Sequence, residues 1–242
     1  MNIEKRSVLI TGANRGIGRA LVEEALGRGA SRVYAGHRGG LDIDDERVTA
    51  ITLDVTNDEQ IAQAVRQVGS SLDVLVNNSG VAPYDDLNDS TVLERTLAVN
   101  FFGMYKVSRA FLPLLKRSKG AIVNNLSLAA LAPLPIIPSY SISKAAALSM
   151  TQSLRALLAS HGVTVHGVFL GPIDTDMNRG LDIPKASPES AAQGIFEGLY
   201  NGEEDIFPDP MSRQVAEGWR GGVAKQFERQ FAGFALQGAA AQ

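Results

Sequence analysis

Ser7-Val8-Leu9-Ile10-Thr11-Gly12-Ala13-Asn14-Arg15-Gly16-Ile17-Gly18-Arg19-Ala20-Leu21-Val22-Glu23-Glu24-Ala25-Leu26 reads as three pieces in a fixed order. Ser7 to Ile10 is a short, apolar, β-branched run, the pattern of a buried strand. A loop with three glycines follows at once, and Arg19 to Leu26 then has helical periodicity. In that context each glycine has its own purpose. Gly12 permits the tight turn, Gly16 lets main chain approach a phosphate, and Gly18 lets the helix pack closely on the strand. The helix start offers free N–H groups and a favourable dipole to a pyrophosphate. The spacing is Gly-x-x-x-Gly-x-Gly and not the commoner Gly-x-Gly-x-x-Gly, so a glycine turn with a purely structural role is the competing account.

Working outward, the same strand–helix alternation continues. Arg32 to Ala35 is a second strand, and it ends in Gly36-His37-Arg38. An acid near this point would suit a ribose 2′-hydroxyl, whereas an arginine suits a 2′-phosphate. No acid occurs until Asp42, and Arg15 supplies a second guanidinium, a fork matched to a dianion. NADP is therefore favoured over NAD, against the alternative of two solvated surface arginines. Val48 to Leu53 is a third strand that delivers Asp54 and Val55 to a sheet edge, where Asp54 is placed to accept from an adenine amino group. Asp58 to Val68 carries the apolar stripe Ile61, Ala64, Val65 and Val68 of a helix.

Leu72 to Val76 is a fourth strand, closing on Asn77-Asn78-Ser79-Gly80, which is either a ligand-shaping loop or a plain Asx turn. One long helix is expected from about Ser90 to Lys116, with Asn100 in its middle, a residue that helix propensity does not favour. Ala121 to Leu126 is a fifth strand ahead of Ser127, and Val163 to Phe169 a sixth ahead of Gly171-Pro172-Ile173-Asp174-Thr175. The polar loop 178–188 is placed to lie over a substrate. Pro188 to Tyr200 reads as a helix, Asp205 to Phe207 as a last strand, and Met211 to Phe231 as a helix that brings Trp219 to a subunit contact. The tail 236–242 is expected to fray. No repeat or linker interrupts the pattern, so the expectation is one α/β domain over 1–242: a doubly wound parallel sheet in three layers, α/β/α.

Ser139-Tyr140-Ser141-Ile142-Ser143-Lys144 opens another helix-favouring run. At i and i+4 the phenol and the ammonium share one helix face. A neighbouring positive charge lowers a tyrosine pKa, so Lys144 is expected to make Tyr140 a usable acid and base near neutrality.

Bulk properties limit the alternatives. The chain has 242 residues, 45% of them apolar, with a net charge of −3 from 23 basic and 26 acidic side chains. No basic block points to nucleic acid, and no apolar run is long enough to span a bilayer or to serve as a signal segment. The absence of cysteine removes thiol chemistry, and His37, His161 and His166 lack metal-site spacing, so no metal is expected. A cytoplasmic protein acting on a small molecule, with neither nucleic-acid nor membrane partners, is the simplest expectation.

Taken together, the motifs resemble those of the single-domain short-chain dehydrogenase/reductases, over nearly the whole chain. Thr11-Gly12-x-x-x-Gly16-x-Gly18 is similar to that family's dinucleotide loop, Asn77-Asn78-Ser79-Gly80 to its Asn-Asn-Ala-Gly element, and Asn100, Ser127, Tyr140 and Lys144 to its catalytic tetrad. Gly171 to Thr175 resembles its Pro-Gly-x-x-x-Thr segment, with Leu170 in place of the proline.

The resemblance implies a Rossmann-type fold and hydride transfer between NADP(H) and a carbonyl or carbinol carbon. Tyr140 would move the proton, Ser127 would hydrogen-bond the substrate oxygen, Lys144 would hold the nicotinamide ribose, and Asn100 would anchor a relay water. The cofactor site would comprise Gly12, Asn14, Arg15, Gly16, Ile17, Gly18, His37, Arg38, Asp54, Val55, Asn77, Ser79, Gly80, Tyr140, Lys144, Gly171, Pro172, Ile173 and Thr175. Ser127, Leu128, Ala129, Leu134, Tyr140 and Met177 would face an apolar substrate, a small hydrophobic or aryl ketone or aldehyde. A 3-oxoacyl or steroid reductase, another chemistry on the same fold, and a non-catalytic NADP sensor are the rivals. A homo-oligomer, tetramer or dimer, formed through helices around 95–117 and 140–160 is implied by the same likeness.

Overall fold

Seven strands form in the computed structural model, which describes residues 1–239: β1 (Ser7–Thr11), β2 (Arg32–His37), β3 (Val48–Thr52), β4 (Val74–Asn77), β5 (Ala121–Asn125), β6 (Thr164–Val168) and β7 (Asp205–Ile206). All pair in parallel in the order β3-β2-β1-β4-β5-β6-β7. The order reverses between β1 and β4, and ligands of such sheets bind in the crevice at this switch point, beyond the strands' C-terminal ends.

The strands are apolar throughout because both faces are covered. Val8, Ile10, Val74, Val76 and Val123 pack with Leu21, Val22 and Ala25 of α1 (Gly16–Gly27) and with Ile195, Phe196 and Leu199 of α6 (Pro188–Tyr200). On the opposite face, Leu9, Leu75 and Ile122 pack with Ile61 of α2 (Asp58–Val68) and with Val107, Phe111 and Leu115 of α4 (Met104–Ser118). Each fully buried side chain of this kind contributes about 1.5–3 kcal/mol. The helix α2 has the bounds its stripe predicts, since Asn57 caps it by accepting from the main-chain N–H of Glu59 and Gln60.

Three expectations need correction. The long helix of residues 90–116 is α3 (Ser90–Leu97), a π-helical segment Ala98–Gly103 and then α4. The segment is pulled out of α geometry by tertiary contacts: Asn100 turns its amide toward Val81, and Gly103 lies so close to Val55 that an added Cβ would come within 2.6 Å of Val55 Cγ2. The helix of residues 211–231 is two helices, α7 (Pro210–Gly221) and α8 (Val223–Ala239), separated at the extended Gly222. Trp219 faces inward, its ring tilted against Phe169 and its indole N–H donating to Asp205, so the exposed aromatics of this region are Phe227, Phe231 and Phe234. α8 continues into the tail expected to fray, and residues 240–242 of that tail lie outside the described ones. No helix among the described residues is long and apolar enough to cross a membrane.

The tightest constraint sits at the first turn of α1. A Cβ on Gly18 would lie 1.9 Å from the carbonyl oxygen of Gly12, whereas one on Gly27, at the exposed end of the same helix, would meet nothing within 4 Å. Gly18→Ala is therefore expected to destabilise the fold by more than about 3 kcal/mol. Gly27→Ala is expected to stabilise it by roughly 0.5–1 kcal/mol. Urea denaturation of the two variants checks both signs at once.

Candidate active site

The C-terminal ends of β1, β4 and β5 are joined by side-chain amides. Thr11 Oγ1 accepts from the main-chain N–H of Asn78 and Ser79 at 2.9 and 3.0 Å. Asn78 Nδ2 donates to the carbonyls of Thr11 and Gly12, and its Oδ1 accepts from Asn125 Nδ2 at 2.8 Å. A second, deeper relay runs from Asn77 Nδ2 to Ser108 and Asn124, and from Asn124 Nδ2 to Thr151. These bonds hold the glycine loop against the end of the sheet, with Gly12 and Gly16 at φ of 68° and 52°.

Above this floor lies a cleft of about 1100 Å³. Of the residues expected from sequence, Gly12, Asn14, Arg15, Gly16, Ile17, Gly18, Arg38, Asp54, Val55, Ser79, Gly80, Tyr140, Lys144, Thr175 and Met177 line it. They come from strand ends, loops and helices far apart in sequence and meet only in the fold. Others are displaced from the lining. His37 ends β2 inside the sheet ladder, pairing with Thr52, and Asn77 spends its amide on the deeper relay. Gly171, Pro172 and Ile173 stand behind Thr175, where Ile173 bridges to Ala186 and the Gly171 N–H is held by Asp209. Leu128 and Ala129 lie on a short 3-10 helix (Leu128–Ala130), and Leu134 is exposed on the following loop, so none of the three walls the cleft. The loop 178–188 stays outside the lining as well.

Arg38 and Arg15 both face the cleft, but Arg15 is paired at 3.2 Å with Asp176, and both members are mostly exposed. Such a pair is worth little and can exchange for a stronger anion. Arg38 has no ion pair among the described residues. At Asp54, burial raises the carboxyl pKa, but hydrogen bonds from the N–H and hydroxyl of Thr56, with Arg38 nearby, outweigh it and leave the group below its ordinary value. The start of α1 has no side-chain cap and no acid in its first turn, so its N–H groups are unmet by side chains. A phosphate-bearing dinucleotide fits this donor set: open helix start, two guanidiniums, and glycines whose missing Cβ leaves room for close approach.

At the other end, helix α5 (Pro138–Leu158), with Pro138 in its first turn, carries Tyr140 and Lys144 on one face. Lys144 is buried and donates from Nζ to the carbonyl of Asn125 at 2.7 Å. Burial lowers its pKa from 10.5 to about 8. Tyr140 is half-buried with its ring 5.6 Å from Lys144 Nζ, and Ser127 stands beside its hydroxyl. Burial pushes the Tyr140 pKa up, and the Ser127 hydroxyl pulls it back only in part. This corrects the expected downward shift by Lys144: desolvation of the phenolate outweighs an ammonium that is itself aimed at a carbonyl. Asn100 joins the loop after β4 to α5. Its Nδ2 donates to Val81 O and Ser143 Oγ and its Oδ1 accepts from Val81 N, so both amide hydrogens are committed and a relay water would use an Asn100 oxygen.

Sequence reasoning missed Asn125, Arg95 and Asp209. The paired Asn124-Asn125 at the end of an apolar strand was the available signal for the first, because two amides there must be satisfied by something outside the ladder. Arg95 lines the cleft from a helix and has no distinguishing context in sequence.

The arrangement is that of a known group: residues 6–185 match the family described as short chain dehydrogenase. The chain belongs to that family. Among solved structures, a short-chain dehydrogenase from Burkholderia cenocepacia in complex with NADP is 38% identical, with a TM-score of 0.87 over 95% of this chain and 98% of that one. The carbonyl reductase from chicken fatty liver, bound to NADPH, is 29% identical with a TM-score of 0.73 over 83% of this chain and 93% of its own. Estradiol 17-beta-dehydrogenase 2 of Rattus norvegicus is 34% identical over 191 residues, 72% of this chain and 50% of that protein. The chain thus spans about half the length of the first curated relatives it matches. In this short-chain dehydrogenase, Tyr140 and Lys144 of α5 lie in the lining of the cleft at the switch point.

Holding Lys144 as a buried cation is costly to the fold. Its folded pKa lies below its unfolded value, so the unfolded chain binds more protons between about pH 8 and 10.5, and stability contributed at this site rises with pH across that window. Lys144→Met is expected to be more stable than the parent at pH 7. The gap should shrink by roughly 3 kcal/mol as pH is raised through the window, read from urea denaturation of both proteins.

Proposed function

We propose that this short-chain dehydrogenase reduces a small apolar ketone or aldehyde with NADPH. The observation that carries the reading is the convergence of Tyr140 and Lys144, with Ser127 behind the lining beside the Tyr140 hydroxyl, at one end of a cleft whose other end holds the glycine loop and Arg38. Bound NADPH would supply the hydride. The residues here supply position and protons.

The Tyr140 phenol is protonated at neutral pH, the form that gives its proton to a carbonyl oxygen in the reductive direction. Ser127 offers its hydroxyl at the same point, stabilising charge as it develops on that oxygen. Lys144, still largely protonated at pH 7, provides the cation beside the phenol and a donor to the nicotinamide ribose. Asn100 pins Val81 to α5 and so fixes the wall facing Tyr140. Gly12, Gly16, Gly18 and the start of α1 would take the pyrophosphate, and Arg38 with Arg15 the 2′-phosphate. Thr175, which lies against Gly16, would take the carboxamide. The NADP and NADPH carried by the two solved relatives support the choice of cofactor. The wall formed by Val81, Ala82, Pro83 and Met177 supports an apolar substrate, in place of the Leu128, Ala129 and Leu134 set expected from sequence. A homo-oligomer remains part of the proposal, supported by the exposed Phe102, Tyr105 and Ile142 on the expected contact helices.

The test is oxidation of NADPH and NADH against a panel of apolar ketones and aldehydes. Parent enzyme is expected to prefer NADPH, and Arg38→Asp to lose that preference. Tyr140→Phe should lower turnover by about 10²–10⁴-fold while still binding NADPH. Turnover is also expected to fall as pH rises through about 8, where Lys144 loses its proton. Cofactor binding without turnover on any carbonyl would overturn the reductase reading, and equal use of the two cofactors would overturn the arginine assignment.

A further inference from the structure

The amide relay beneath the cleft ends on an atom that has no partner. The direction of the relay is dictated from its start: the carbonyls of Thr11 and Gly12 only accept, so Asn78 must present its Nδ2 to them. Its Oδ1 then faces Asn125 and must receive a donor, which orients Asn125 Nδ2 toward it. That leaves Asn125 Oδ1 fixed as a bare acceptor, buried and without a hydrogen-bond partner among the described residues. Asn125 is only 4% exposed, yet it lines the cleft.

Its position selects which end of a ligand it meets. The main-chain oxygen of Asn125 accepts from Lys144 Nζ, so the residue sits at the Tyr140 and Lys144 end, away from Arg38 and Asp54. The other orphaned amide of this region, Asn77 Oδ1, is equally buried but belongs to the deeper relay and does not reach the cleft. A buried carbonyl-type oxygen without a donor is destabilising, and pairing it on ligand binding recovers that cost.

We propose that Asn125 is a cofactor-positioning residue. Its Oδ1 accepts a hydrogen bond from a donor on the nicotinamide end of the dinucleotide, either a ribose hydroxyl or the carboxamide N–H. Because Asn125 is braced by Asn78 against the glycine loop, this bond couples the orientation of the reacting ring to the seat of the pyrophosphate. The inference rests on the NADP reading above.

The experiment is titration calorimetry of parent, Asn125→Leu and Asn125→Ala with three ligands: NADPH, 2′-phospho-ADP-ribose, which keeps the terminal ribose without the ring, and 2′,5′-ADP, which has neither. Thermal melts establish that each variant is folded, and the smaller alanine separates loss of the acceptor from a steric effect of leucine. NADPH is expected to bind about tenfold more weakly to both variants, with 2′,5′-ADP unchanged. Parallel weakening of 2′-phospho-ADP-ribose identifies the ribose as the donor, and unchanged binding identifies the carboxamide. Unchanged NADPH affinity would mean that solvent meets the oxygen, and equal weakening of all three ligands would mean a structural role only; either overturns the proposal. Failure of parent protein to bind NADPH and 2′,5′-ADP would instead sink the NADP reading itself.

Discussion

The side chain of Asn78 donates to two consecutive main-chain carbonyls, Thr11 and Gly12, and the geometry of the cleft depends on that contact. Thr11 ends β1 and Gly12 begins the loop that leaves the sheet, and buried carbonyls left unpaired there are destabilising. The same loop must let α1 approach so closely that Gly18 has no room for a Cβ against the Gly12 oxygen. One amide therefore satisfies the loop while permitting the helix start to point into the cleft. Through Asn125 the constraint passes to β5, and through the Asn125 carbonyl to Lys144.

The reactive end is assembled at a cost to stability. Lys144 is buried with one hydrogen bond from Nζ to a carbonyl, Tyr140 has its charged form disfavoured, and Asn125 keeps an unmet oxygen. Each of these would be relieved by an apolar residue or by a ligand. Their concentration at one end of one cleft is the physical argument that the end is functional.

The π-helical segment Ala98–Gly103 serves the same end of the cleft. It lets Asn100 leave the axis of a continuous helix and bond Val81 on one side and Ser143 on the other, joining the loop after β4 to the helix that carries Tyr140. Single π turns of this kind recur at functional sites because a widened turn redirects a side chain without ending the helix.

Much of this was legible without coordinates. Uninterrupted apolar runs such as Val8 to Ile10 declare strands buried on both faces, the stripe of α2 declares its inner side, and the glycine spacing declares where main chain must come close. Local chemistry determines these features, and so the sheet, the dinucleotide loop and the Tyr140–Lys144 pair could be read directly. Tertiary packing alone decided the rest: that Asn77 turns down into a relay while Asn78 turns up to the loop, that Trp219 faces inward, and that Val81 to Pro83 with Met177 line the cleft while Leu128, Ala129 and Leu134 do not. Tyr140 is the clearest case. Its spacing from Lys144 promised a lowered pKa, but a pKa is set by the balance of desolvation against every neighbouring charge, and that balance exists only once the chain is folded.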